Sequence, residues 1–140
     1  MKKWKRVVLE IGTVILILIF GVYSFDTYIE NGMCGNQVHN EYFSPDGSLK
    51  VIVFERDCGA TTGFSTQISV TKSDDLLPNE SGNVFIIAGH PLTAAPEVSW
   101  KNNSTLVILH RLNDLVFKAE RSWGWFNAVT IEYQSANIHR

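Results

Sequence analysis

Residues 7–25 constrain this chain more than any other stretch. They form an apolar run with one ionisable side chain, Glu10, directly after Lys2, Lys3, Lys5 and Arg6. Coiled as an α-helix, such a run rises about 28 Å, close to the ~30 Å hydrocarbon core of a bilayer. Glu10 falls about one turn inside the basic end, where its carboxylate reaches the headgroups beside Lys3 or Arg6; a charge at the bilayer centre would be costly. Trp4 at one end, with Tyr23 and Tyr28 at the other, occupy positions where interfacial aromatic belts form. The expectation is a transmembrane helix contacting the lipid bilayer through residues 7–25.

Charge sets its direction. Residues 1–24 hold four basic groups and one acidic group, 4 − 1 = +3, while residues 25–140 hold eight basic and thirteen acidic groups, 8 − 13 = −5. The positive flank stays in the cytosol, which leaves the remainder extracytoplasmic at the cytoplasmic membrane, single-pass with the N-terminus inside. The alternative is a signal peptide cleaved near Ser24 after Val22-Tyr23, a weak site without Ala-x-Ala, which would secrete the domain instead. Cys34 lies well beyond the apolar run, across Asp26 and Glu30, and is not placed as a lipoprotein cysteine. The organisation expected is a cytoplasmic basic tail over 1–6, the helix over 7–25, a juxtamembrane connector over 26–36, an extracytoplasmic β domain over 37–134 and a frayed tail over 135–140.

The whole chain has 140 residues, 45% apolar and 19% charged, with a net charge of −2, so it is neither disordered nor large enough for a two-domain enzyme. It has no basic excess of the kind that marks a nucleic-acid partner. Beyond the connector the pattern becomes β. Ser44-Pro45-Asp46-Gly47 is a type I turn signal, with Pro45 fixing φ, Asp46 bonding back to the backbone and Gly47 tolerating positive φ. It feeds a β-rich run over 49–56. Residues 64–72 alternate strictly: Phe64, Thr66, Ile68 and Val70 on one face, Ser65, Gln67, Ser69 and Thr71 on the other, as in a half-solvated strand. Short strands follow over 83–88, 97–101, 104–111, 115–118 and 128–133, with a polar loop over 73–82 and Asn102-Asn103 as a hairpin turn using the αL tolerance of Asn. The fold class is all-β, a small antiparallel sandwich or partly open barrel of about seven strands behind one N-terminal helix. A propeller is excluded, because that many strands make fewer than two blades.

The segment Arg56-Asp57-Cys58-Gly59-Ala60-Thr61-Thr62-Gly63 is the most distinctive. From Ser44-Pro45-Asp46-Gly47 to Gln67-Ile68-Ser69 the chain resembles a family of small uncharacterised bacterial proteins, N-terminally anchored or exported, that share this Arg-Asp-Cys-Gly-Ala-Thr-Thr core. The resemblance implies export and a shared small β fold, and it implies no activity.

Two cysteines in an exported domain most simply form one disulfide, Cys34–Cys58, closing a loop of 58 − 34 = 24 residues. On the chain-entropy model such a loop stabilises by roughly 3–4 kcal/mol. The rival is Cys58 as a nucleophile, activated by Arg56 and by one of His39, His90 or His110. No elbow surrounds it, and Asp57 would raise its pKa. Arg56, Asp57, Gly59, Thr61 and Thr62 make a candidate ligand or partner loop, against the plainer readings of a tight strand connection and an ion pair that shapes it; a P-loop would need Gly-Lys-Ser/Thr and a following helix. The histidines lack metal-ligand spacing, so neither a metal nor another cofactor is expected, and no catalytic constellation is assigned. His90, between Gly89 and Pro91, is expected to be exposed. Trp123-Gly124-Trp125-Phe126 is an aromatic cluster, a candidate contact surface for a partner, a glycan or the membrane headgroups, against the plainer reading in which Trp125 fills the core with Trp100 and only Trp123 is left as a partly exposed aromatic contact. A binding or interaction module of the bacterial envelope, with an envelope protein as partner, follows from these readings. Its alternatives are a small envelope hydrolase or transferase using Cys58 or a His/Asp pair, and a membrane-bound immunity or inhibitor protein.

Overall fold

A computed structural model describes residues 2–135 and divides the chain into a helical unit, ending at Met33, and a β unit starting at Cys34. The expected frayed tail lies outside the described residues except for Ser135.

Helix α1 spans Lys2–Met33. Its stretch Lys2–Asp26 is long and apolar enough to cross a membrane, with mean hydropathy 2.3 over its most apolar 18 residues. Thr13 satisfies its hydroxyl inside the helix, donating to the Leu9 carbonyl at 2.8 Å. The helix continues through most of the segment read as a connector, because nothing from Asp26 to Asn31 breaks it; Gly32 and Gly35 bracket the point where the chain becomes extended.

The β unit is a two-sheet sandwich. Strands β1 (Gly35–Phe43), β2 (Leu49–Asp57), β3 (Phe64–Lys72), β4 (Phe85–Ala88) and β7 (Val116–Ala119) form one sheet in the order β1-β2-β3-β4-β7. Strands β5 (Glu97–Asn102), β6 (Thr105–Leu109), β8 (Ser122–Trp123) and β9 (Val129–Gln134) form the other, in the order β5-β6-β9-β8. The one-turn helix α2 (Pro91–Ala94) bridges β4 and β5. The core lies between the sheets, with Val51, Val53, Ile68, Val70, Phe85 and Ile87 facing Val98, Leu106, Ile108, Val129 and Ile131. Trp100 joins the layers as expected: half-buried against this core, its indole N–H donates to the Tyr42 carbonyl at 3.0 Å.

Among the described residues the sandwich has nine strands rather than about seven, and it is mixed: β6 and β9 run parallel, every other pair antiparallel. Strand β1 escapes sequence reading because it is an exposed edge with almost no apolar face; pairing with β2 holds it. Strand β8 is only two residues long, too short to stand out in the sequence. The β5–β6 hairpin turns one residue later than expected and without αL asparagine. Asn102 Oδ1 instead accepts from the Ser104 N–H at 2.9 Å and from its hydroxyl at 3.1 Å, a local side-chain turn.

The turn at Ser44–Gly47 is built as its residues dictate. The Gly47 N–H donates to the Ser44 carbonyl at 2.8 Å, and Asp46 Oδ1 accepts from the Ser44 hydroxyl, the Ser48 N–H and the Ser48 hydroxyl at 2.7, 3.0 and 2.8 Å. The Ser44 hydroxyl, followed by the Ser48 donors, holds the Asp46 carboxyl below its ordinary pKa.

Strand β3 departs from the half-solvated expectation, since Thr66 to Val70 are buried on both faces. The polar face is covered by the 73–84 loop. Gln67 Oε1 accepts from the Gly82 N–H at 2.6 Å and Ser69 Oγ from the Asn83 N–H at 3.1 Å. Lys118 then donates to the Gly82 carbonyl at 3.2 Å. Glycine is required at 82, where a Cβ would lie 3.0 Å from both Gln67 Cβ and the Ile68 carbonyl oxygen. Asn83 prolongs the ladder with its side chain: its carboxamide accepts from the Val70 N–H and donates to the Val70 carbonyl, both at 2.9 Å, as a strand residue's backbone would.

Candidate functional site

Strand β2 sets the two ends of the β unit. Its first residue pairs with Lys72, and its last with Gly35 and Phe64. The ends are about 27 Å apart at the rise of an antiparallel strand.

At the Cys34 end, Cys34 and Cys58 form the disulfide. Cys58 is therefore not a free nucleophile. Arg56 is buried at 5% exposure, donating to Asn36 Oδ1 at 2.8 Å and Asn79 Oδ1 at 3.4 Å. Asn79 in turn donates to the Cys34 carbonyl at 2.8 Å, and Asn36 to the carbonyls of Pro78 and Glu80 at 3.0 and 2.8 Å. Arg56 thus ties the covering loop and the β1 entry together beneath the bridge. Asp57 lies on the opposite face of the strand and caps the turn, its Oδ1 accepting from the Gly59 N–H at 2.8 Å. Gly59 and Gly63 hold φ of 97° and 68°, and the Thr62 N–H and hydroxyl both close on the Gly59 carbonyl, at 3.3 and 3.2 Å. Thr61 and Thr62 are exposed. The loop is a tight, self-bonded connection, with Arg56 turned away from it.

Beside this loop the fold assembles a pair that sequence reading did not identify. Glu55 and His90 approach to 2.8 Å between Oε2 and Nε2, yet Oε2 is buried and, among the described residues, has no aligned hydrogen-bond donor. His90 is exposed as expected. Its Nδ1 accepts from the Leu92 N–H at 3.2 Å, and its ring meets Phe64 edge-on at 5.7 Å between centroids. Thr66 holds the adjoining Gly89 carbonyl at 2.8 Å. A β-bulge between Val38 and Asn40 frees His39 from the ladder, and His39 and Gln37 line a small cleft of about 80 Å³ with Glu55, His90 and Pro91. The signal was present: Glu55 shares the period-two face of Val51 and Val53, placing a carboxylate in core register. Among the described residues, no group of three or more His, Cys, Asp or Glu side chains is arranged to hold a metal ion.

The opposite end carries the larger feature. A groove of about 820 Å³ is lined by two chain segments, an aromatic one with Trp123, Trp125 and Phe126 and a polar one with Thr71, Lys72 and Asp75, here called its banks, together with Leu49 and Ala128. Trp123 is half-buried against the core. Trp125 corrects the sequence reading: it does not fill the core but is 89% exposed, and Phe126 is 99% exposed. The cause is local. Gly124 turns at φ 86°, with Ala128 3.2 Å from where a Cβ would stand, and Phe126 and Asn127 then both adopt φ 56°. A bulky residue in the left-handed region costs about 1–2 kcal/mol. The turn is held by the Ser122 hydroxyl, which donates to Asn127 Oδ1 at 2.9 Å. On the facing bank, the Thr71 hydroxyl donates to Asp75 Oδ2 at 3.4 Å.

No family model, curated protein or solved structure matches the chain. The reading of the site therefore rests on its own chemistry.

Proposed function

We propose that this protein is a single-pass, N-in membrane protein whose extracytoplasmic β domain is a binding module of the bacterial envelope, engaging its partner through the Trp125–Phe126 groove. One observation carries the proposal: Trp125 and Phe126 are 89% and 99% exposed on a turn that strains the backbone to present them. Folding alone gains nothing from exposing two large aromatic rings, and backbone strain of this kind gathers at functional sites. The apolar N-terminal helix and the disulfide support the topology, since disulfides persist in oxidising compartments.

Two experiments on intact cells test the reading. A membrane-impermeant thiol reagent should label two cysteines only after reduction, and intact mass should show residues 1–24 retained; labelling that requires cell lysis would overturn the topology. A photo-crosslinking residue at Phe126 should form an adduct that the same residue at Thr61 does not, and equal or absent adducts would overturn the groove as the contact. A protein adduct specific to one exported effector would single out the immunity or inhibitor form of this role.

A second reading, a small envelope hydrolase or transferase, is favoured by the Glu55–His90 approach. With Cys58 in the bridge, it would act through the carboxylate and imidazole. Turnover of chromogenic ester, amide or phosphoester substrates, lost in Glu55→Gln, would support it, and no turnover by the full chain would exclude it for those classes.

A further inference from the structure

We infer that the groove is a saccharide site, taking a neutral oligosaccharide whose ring faces stack on Trp125 and Phe126 while its hydroxyls bond to Asp75, Lys72 and Thr71; this rests on the binding-module reading above. A pyranose ring is divided in chemistry as this groove is. One face is axial C–H, which packs on an aromatic plane, and its edge is a row of hydroxyls that both donate and accept. The two banks reproduce the division, aromatic on the β8–β9 side and polar at the end of β3. Asp75 supplies an acceptor carboxylate, Lys72 a donor ammonium and Thr71 a hydroxyl able to do either. One acidic and one basic group leave the polar bank without net charge, which suits a neutral ligand; an anionic chain would meet Asp75, and a cationic one Lys72. The volume lies within the range of small-ligand sites. Other occupants fit less well. An amphipathic helix needs apolar contact on both banks. A bilayer surface, rich in anionic headgroups, would be met by the Asp75 carboxylate, at the end of the sheet farthest from Cys34. The strained turn sets the backbone that carries both rings before the ligand arrives.

The test uses the full chain in lipid nanodiscs, titrated with tetramers of β-1,4-linked glucose and of β-1,4-linked N-acetylglucosamine and followed by tryptophan fluorescence. At least one tetramer should give a saturable change. Trp125→Ala should abolish it, Asp75→Asn should weaken binding by about tenfold, and His90→Asn, at the far end of the sheet, should leave it unchanged. Should Asp75→Asn disturb the turn after β3, Lys72→Met provides the second polar-bank variant, with the same weakening expected. Neither tetramer binding, or binding undiminished in Trp125→Ala, would overturn the saccharide assignment. The Phe126 crosslink separates that failure from failure of the module itself. A protease-sensitive adduct without sugar binding sinks the saccharide and keeps the module, whereas no adduct and no sugar binding sinks both.

Discussion

Replacing Phe126 by glycine should make this protein more stable while impairing its binding. Phe126 sits at φ 56°, ψ 31° and is 99% exposed, so its ring contributes almost nothing to packing. Its Cβ in the left-handed region costs about 1–2 kcal/mol, and glycine removes that cost. Against this, glycine enlarges the unfolded ensemble, at about 0.4–1 kcal/mol. The difference leaves a net gain of about 0.5–1 kcal/mol, which for a β unit of this size raises Tm by about 3–6 °C. Phe126→Ala keeps the Cβ and loses the ring, so it should melt within about 2 °C of wild type. The assay is thermal unfolding of the full chain in nanodiscs, followed by near-UV circular dichroism with the disulfide intact. Both variants should weaken binding at the groove alike, because both lack the ring. A destabilised Phe126→Gly would refute the strain argument, and a strongly destabilised Phe126→Ala would show the ring to be packed rather than displayed.

Three further outcomes follow from the fold. Cys34→Ser and Cys58→Ser should each cost about 3–4 kcal/mol for the 24-residue loop, and the double variant no more; urea unfolding measures this, and unequal single effects would contradict a shared bridge. Asn83→Ala removes both carboxamide bonds to Val70 and should cost about 1–3 kcal/mol, whereas Asn103→Ala, losing one exposed bond to the Asp46 N–H, should cost less than about 1 kcal/mol. His110 is held below its ordinary pKa of 6.5 by burial; its ring packs against Phe85 at 5.6 Å and its buried Nε2 has no hydrogen-bond partner among the described residues. The unfolded chain therefore binds a proton first, so stability is full above pH 6.5 and declines as pH falls through the depressed folded value. Urea midpoints recorded down from neutral pH should show this decline lessened in His110→Phe.

Much of the sandwich was legible because most of its strands obey local rules. Strand β3 begins and ends where its alternation does, and the Ser44–Gly47 turn forms the bonds its residues prescribe. The failures share a cause, which is that distant segments alter what a local pattern means. Gln67 and Ser69 read as solvent-facing because nothing nearby in sequence covers them; the cover arrives from Gly82 and Asn83, across the polar loop. Strand β1 has no apolar signature because its stability is lent by β2 and by the bridge at Cys34. The parallel register of β6 and β9 is a matter of chain routing, about which neither strand's composition says anything.

The two candidate sites were hidden in different ways. Glu55 could have been found, because alternation alone places it on the face of Val51 and Val53, and a carboxylate in core register must meet a partner from elsewhere, here His90. Trp125 and Phe126 were singled out with their cluster but set inward, because aromatic residues between strands are ordinarily core and the burial rule favours that. What reverses the rule is the backbone. Gly124 opens the turn, and Phe126 then accepts a conformation its own side chain disfavours, which carries both rings away from the sandwich. Local preference and burial are both violated at the same residue, with no packing gained in return. A stable fold would be reached more easily with glycine or asparagine there. The violation is what the proposed binding role would explain, and the Phe126→Gly and Phe126→Ala pair puts it to measurement.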